Sequence, residues 1–167
     1  FGEAGVRGRA AVAQAVAETA RSLRAKDLPI VSSFLIKALR DGDDAVRAAV
    51  MAAGQTVLDT HGAEHVALLL PVFESCLDRD DAAASGGALS YEQEAEAARV
   101  REGIAVFLGT LARHLPQGDP KVAVVVQRLM EVLRTPSEPV QRAVANCFPG
   151  LMGNLTQEAK DALVAQL

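Results

Sequence analysis

Four stretches of this 167-residue chain have residue types at spacings that suggest chemistry. His61-Gly62-Ala63-Glu64-His65 spells H-x-x-E-H, the inverted motif of a zinc peptidase. That chemistry needs both imidazoles on one helix face and the carboxylate beside a metal-bound water. Here Gly62 is expected where one helix stops and the next begins, and no third ligand follows, so a capped inter-helix turn is the stronger reading. Asp41-Gly42-Asp43-Asp44 carries three carboxylates, as a calcium loop does. The calcium pattern needs a Gly after the third ligand and a closing Glu, and both are missing. Asp at a helix start, accepting backbone N–H bonds, accounts for these residues better. Cys76 and Cys147 stand alone on apolar stretches and read as buried free thiols. Asn154-Leu155-Thr156 fits a glycosylation triplet and reads as a turn. No Gly-rich phosphate loop, no nucleophile with a base in context and no C-x-x-C pair is present. A non-enzymatic binding scaffold without a cofactor is expected. A metalloenzyme on His61, Glu64 and His65 is the weak rival.

What must position these residues is a repeat. Val6-Arg7, Val46-Arg47, Val100-Arg101 and Val140-Gln141 open stretches of equal apolar spacing and are separated by 40, 54 and 40 residues. Four positions after the Val come Ala10, Val50, Ile104 and Val144; seven after, Ala13, Ala53, Phe107 and Cys147; eleven after, Ala17, Val57, Leu111 and Leu151. Such spacing marks one face of an α-helix. A second apolar stretch precedes three of these helices, at Leu28 to Leu39, Val66 to Leu77 and Val122 to Leu133. Each period is therefore an outer and an inner helix. A period near 40 residues signals an all-α solenoid of HEAT or armadillo type, about four antiparallel helix pairs, with breaks near 26, 62, 117 and 155.

Composition agrees. Half of the chain is apolar, only 4% is aromatic and there is no Trp. Tightly stacked helices suit that better than a deep ligand pocket. No run approaches a membrane span. The start Phe1-Gly2-Glu3 is no signal peptide, and an interior fragment of a longer protein is expected. The net charge is −4, and each half carries more acidic than basic side chains. A domain-wide nucleic-acid footprint is not supported, and direct RNA contact is left open.

Local signals refine the periods. Residues 4–24 read as an inner helix. Asp27 with Pro29, and Asp119 with Pro120, read as helix starts. Ser90 with Gln93, and Thr135-Pro136-Ser137-Glu138, read as capping boxes. Pro71 and Pro149 should kink their helices. His114 is expected to interact with a helix C-terminus. The extra 14 residues of the middle period lie within 80–96 and include Ala82-Ala83-Ala84-Ser85-Gly86-Gly87 and Glu92, Glu94 and Glu96, read as a surface insertion. Arg7, Arg47 and Arg101 should stack as a ladder paired with turn carboxylates such as Asp41 or Asp43, and Gln141 breaks the series. Thr156 to Leu167 reads as the start of a further outer helix.

Several segments carry more than repeat consensus. They are Val46-Arg47-Ala48-Ala49, Asp59-Thr60-His61-Gly62, Leu69-Leu70-Pro71-Val72-Phe73-Glu74, Tyr91, the run Val100 to Leu115, Asp119-Pro120-Lys121-Val122, and Thr135 to Gln141. Over roughly residues 28–155 they resemble the general control nonderepressible family, the giant HEAT-repeat translational activators of general amino-acid control. Residues 1–27 resemble it only as generic HEAT, and the Ala-Ser-Gly insertion departs from the shorter loop expected. The resemblance implies a eukaryotic, cytoplasmic stress-response protein that binds stalled or collided ribosomes. It also implies that the full-length protein activates the protein kinase acting on the initiation-factor-two alpha subunit. Arg99, Arg101, Arg113 and Lys121 form the candidate basic group for ribosomal RNA or protein. The rival reading is a HEAT adaptor of another class, a nuclear transport receptor or a phosphatase scaffold.

Overall fold

The computed structural model describes residues 3–85 and 90–164. Among the described residues seven α-helices follow in order: α1 Glu3–Glu18, α2 Leu28–Ala38, α3 Asp44–Ser85, α4 Tyr91–Ala112, α5 Pro120–Leu133, α6 Glu138–Asn154 and α7 Gln157–Val164. Two single-turn 3-10 helices, Ala20–Ser22 and Ala25–Asp27, link α1 to α2, so the first inner helix is shorter than its apolar pattern. Among the described residues there is no strand. α3 is two limbs joined end to end. Its helical path breaks at His65, where φ is −125° and ψ is 24°.

The four-fold apolar stripe becomes the core. Val46, Val50, Ala53 and Val57 on α3, and Val100, Ile104, Phe107 and Leu111 on α4, are all buried. So are Val140, Val144 and Leu151 on α6, and Ala13 on α1. Against them press Leu28 and Leu35 of α2, Leu69 and Phe73 of the second limb of α3, and Val122, Val126 and Leu129 of α5. α1 packs on α3, α3 on α4, and α4 on α6, while α2 and α5 pack behind them. This is a HEAT-repeat solenoid with an inner layer of α1, the first limb of α3, α4 and α6. Its outer layer holds α2, the second limb of α3 and α5.

Large side chains enter holes made by glycine. A Cβ on Gly54 would stand 2.2 Å from the Phe107 ring, one on Gly103 2.2 Å from Leu39, and one on Gly109 2.3 Å from the Cys147 sulfur. Phe107 then meets Phe73 from the outer layer, ring centres 5.9 Å apart. These contacts let a core of small aliphatics pack densely without Trp.

Several local expectations change on folding. Gly62 does not end a helix. It lies within α3, buried, and a Cβ there would come within 2.8 Å of His114. It is small because another helix's imidazole rests on it. The helical path breaks instead at His65. The Ser90–Gln93 capping box forms, with the Gln93 N–H donating to Ser90 Oγ at 3.3 Å and the Ser90 N–H to Gln93 Oε1 at 2.8 Å. Asp119 caps α5 through the Lys121 N–H at 2.8 Å. No capping box forms at Thr135–Glu138; Ser137 precedes α6 without a side-chain cap, and Pro139 fills the first turn. Pro71 and Pro149 lie inside α3 and α6. Much of the 80–96 stretch extends helices: α3 runs to Ser85 and α4 begins at Tyr91. Gly86 and Gly87 lie outside the described residues.

Candidate partner-binding face

The motif His61–His65 is not assembled as a metal site. His61 Nε2 lies 2.8 Å from the Ala20 carbonyl, so that nitrogen carries the proton and donates. His65 is the residue at the break, and its ring stacks on that of His61 with centres 6.1 Å apart. Glu64 points to solvent, 3.9 Å from His65 Nε2. Among the described residues no group of three or more His, Cys, Asp or Glu is placed to hold a metal ion. His114 does not cap its own helix. Its Nε2 faces Asp59 of α3 at 3.3 Å, tying two inner helices together.

The turn before the first limb of α3 shows how the Arg ladder is used. Asp43 accepts the N–H groups of Ala45 and Val46 at 2.9 and 3.3 Å. Arg47 reaches back six residues to the Asp41 carbonyl at 2.7 Å and also pairs with the Asp44 carboxylate. Gln141 makes the same reach, donating to the Thr135 carbonyl six residues earlier at 3.2 Å. The shared property of the position is a long side chain that donates to a turn carbonyl, which Gln supplies as well as Arg. Arg7 pairs with Glu3 on its own helix. The residue that reaches Asp41 is Arg9, at 2.6 Å, and its guanidinium holds the Asp41 carboxyl below the usual range. Arg101 is half-buried in the middle of α4, ten residues after that helix begins.

The exposed side of the inner layer carries two adjoining clefts. The first, of about 420 Å³, lies between α3 and α4 and is lined by Arg47, Met51, Gln55, Arg99 and Glu102. The second, of about 390 Å³, lies between α3, α4 and α6 and is lined by Gln55, Val106, Thr110, Arg113 and Asn146. Gln55 belongs to both, so the clefts form one trough along α4.

Of the four candidate contact residues, Arg99 and Arg113 stand on this trough. Arg99 Nε is buried and has no hydrogen-bond partner among the described residues. Arg113 lies 3.7 Å from Asp59, both side chains more than half exposed. Lys121 is exposed at the start of α5 in the outer layer. Fourteen residues of helix separate Arg99 from Arg113, about 21 Å, so the four do not form one compact patch. Sequence reasoning missed Gln55 and Asn146, because an amide on an inner helix looks like any solvated position until the neighbouring helix is in place.

The fold defines the class, a HEAT-repeat solenoid. A family model described as the HEAT repeats of the stalled ribosome sensor GCN1 matches residues 3–113, and the chain belongs to that family. The match reaches into α1, further toward the start than the resemblance over 28–155. Protein ILITYHIA of Arabidopsis thaliana is 44% identical over 158 residues, covering 94% of this chain and 6% of that protein. The stalled ribosome sensor GCN1 of Homo sapiens is 38% identical over 133 residues, covering 78% and 4%. The eIF-2-alpha kinase activator GCN1 of Saccharomyces cerevisiae is 30% identical over 160 residues, covering 93% and 5%. The chain thus spans a small fraction of these relatives. No solved structure matches it.

Proposed function

We propose that this chain is a non-catalytic scaffold segment of a cytoplasmic, ribosome-associated translational activator. The family match over residues 3–113 carries this reading. The names of the human and yeast relatives, a sensor of stalled ribosomes and a kinase activator, support the same role for the protein to which this segment belongs. Stacked helix pairs hold the inner layer at fixed spacing, so the segment acts by geometry, spanning a large partner and offering the exposed side of α3, α4 and α6 to it. Kinase activation is assigned to the whole protein. No described helix is long and apolar enough to cross a membrane, and no membrane partner is assigned.

The test is sedimentation of the full-length protein with stalled or collided ribosomes, with Arg99, Arg101, Arg113 and Lys121 changed to Glu one at a time. Co-sedimentation of the parent, with release by a variant whose circular dichroism and melting are unchanged, supports the reading and identifies the contact. A parent that stays in the supernatant with collided ribosomes overturns it and leaves an adaptor for a different protein partner. Co-sedimentation that no variant affects assigns the segment to reach and spacing.

A further inference from the structure

We propose that the trough along α4 binds an extended acidic peptide segment of a protein partner, gripping its backbone through Gln55 and Asn146 and its carboxylates through Arg99 and Arg113. The inference rests on the inner face being the partner surface, and not on that partner being the ribosome.

Three observations carry it. Gln55 and Asn146 face the trough, and neither amide is engaged within the described residues. A side-chain amide donates and accepts at once, which is what an extended peptide backbone requires from each side. Arginines mark both ends, about 21 Å apart along the helix. An extended chain rises about 3.4 Å per residue, so about six residues separate carboxylates that meet both arginines. Finally, past Glu102 the second cleft has no carboxylate in its lining, and Val106 and Thr110 lie beside the amides.

The charges at the ends permit the exchange. The Arg113–Asp59 pair at 3.7 Å is solvent-exposed and weak, so Arg113 can turn to a better-placed carboxylate. The first cleft also holds Asp44, Arg47 and Glu102; Asp44 is taken up by Arg47, so Arg99 and Glu102 set the charge met at that end. RNA fits less well. The chain carries net charge −4, and among the described residues the two exposed aromatics, Phe34 and Tyr91, stand off the trough, so neither phosphate attraction nor base stacking is concentrated there.

The experiment uses the full-length protein that contains this segment and a fluorescein-labelled decapeptide with two aspartates at each end and alternating serine and alanine between. Binding is read by fluorescence polarisation. The expected result is saturable binding that weakens with salt and is absent when the aspartates are lysines. Gln55→Glu and Asn146→Asp keep shape and place a carboxylate where the amide donated. Each is expected to weaken binding by roughly three- to tenfold or more, with an unchanged melting curve. Arg113→Gln is expected to weaken it comparably and to flatten the salt dependence. No binding of the acidic peptide, or binding indifferent to Gln55→Glu and Asn146→Asp, overturns the proposal. Tighter binding of an oligouridylate of equal charge, sensitive to Arg99 and Arg113 but not to the amides, overturns it in favour of RNA. Peptide binding by a full-length protein that ignores ribosomes supports the trough and removes the ribosome reading alone.

Discussion

Single residues in this chain hold turns in place. Arg47 and Gln141 show that a helix start is tied by donation to a carbonyl six residues back, whatever charge the donor bears. Arg47→Ala is therefore expected to lower stability by about 1 kcal/mol, and Arg47→Gln by less, as read from urea midpoints. Asp41 has a different dependence. The hydrogen bond from Arg9 depresses its pKa first, with the Asp43 N–H and the charges of Arg9 and Arg47 adding to it against desolvation. A carboxyl depressed on folding contributes stability that is complete above its ordinary value near ~4 and is lost as pH falls through the lower folded value. Melting temperature measured from pH 6 to pH 2 should fall less steeply for Asp41→Asn than for the parent. At the Cys147 thiol, burial raises the pKa and outweighs the lowering influence of Arg113. Fewer thiolates form there, so alkylation of Cys147 near pH 8 should run slower than that of a free thiol in an unfolded peptide.

At the scale of the helix, holes matter as much as knobs. Gly54 admits Phe107, and Gly109 admits Cys147. Gly54→Ala raises helix propensity yet drives a methyl into a buried ring, so a loss of ~1–3 kcal/mol is expected in denaturant titration. Phe107→Leu in the same chain should recover part of that loss, which a double-mutant cycle measures. The start of α4 depends on its capping box, and Ser90→Ala should cost about 1 kcal/mol. Extension of α3 and α4 into the stretch around residue 85 also has a consequence on the surface. It places Glu96 3.6 Å from Arg40 at the end of α2, a link between neighbouring helix pairs.

In the whole molecule, stability is a chain of neighbour contacts. α1 packs mainly on α3 and contributes one buried residue, Ala13, whereas α4 touches α3, α5 and α6 and buries ten. Hydrogen exchange should accordingly be fastest in α1 and slowest through the middle of α4. Uniform protection across both helices would mean that the segment unfolds as one unit.

How much was legible beforehand follows from what kind of signal each feature leaves. Helix pairs, their buried stripes and the caps at Ser90 and Asp119 were written in the sequence, because apolar period and capping chemistry are local. The segments around Val100 to Leu115 also carried the family, since a solenoid alone does not demand them. Other features arose only when helices met. Gly62 looked like a stop and is a seat for His114. Arg7 looked like the partner of Asp41, and Arg9 takes that place because helix rotation is set by packing. The trough depends on Gln55 and Asn146, 91 positions apart in the sequence, facing one groove. The sequence by itself determined the repeat, its helical class and its lineage, all of which rest on near neighbours in the chain. Tertiary structure alone decided which glycines are holes, which charges meet and which polar side chains share a face, because those depend on contacts between helices far apart in sequence.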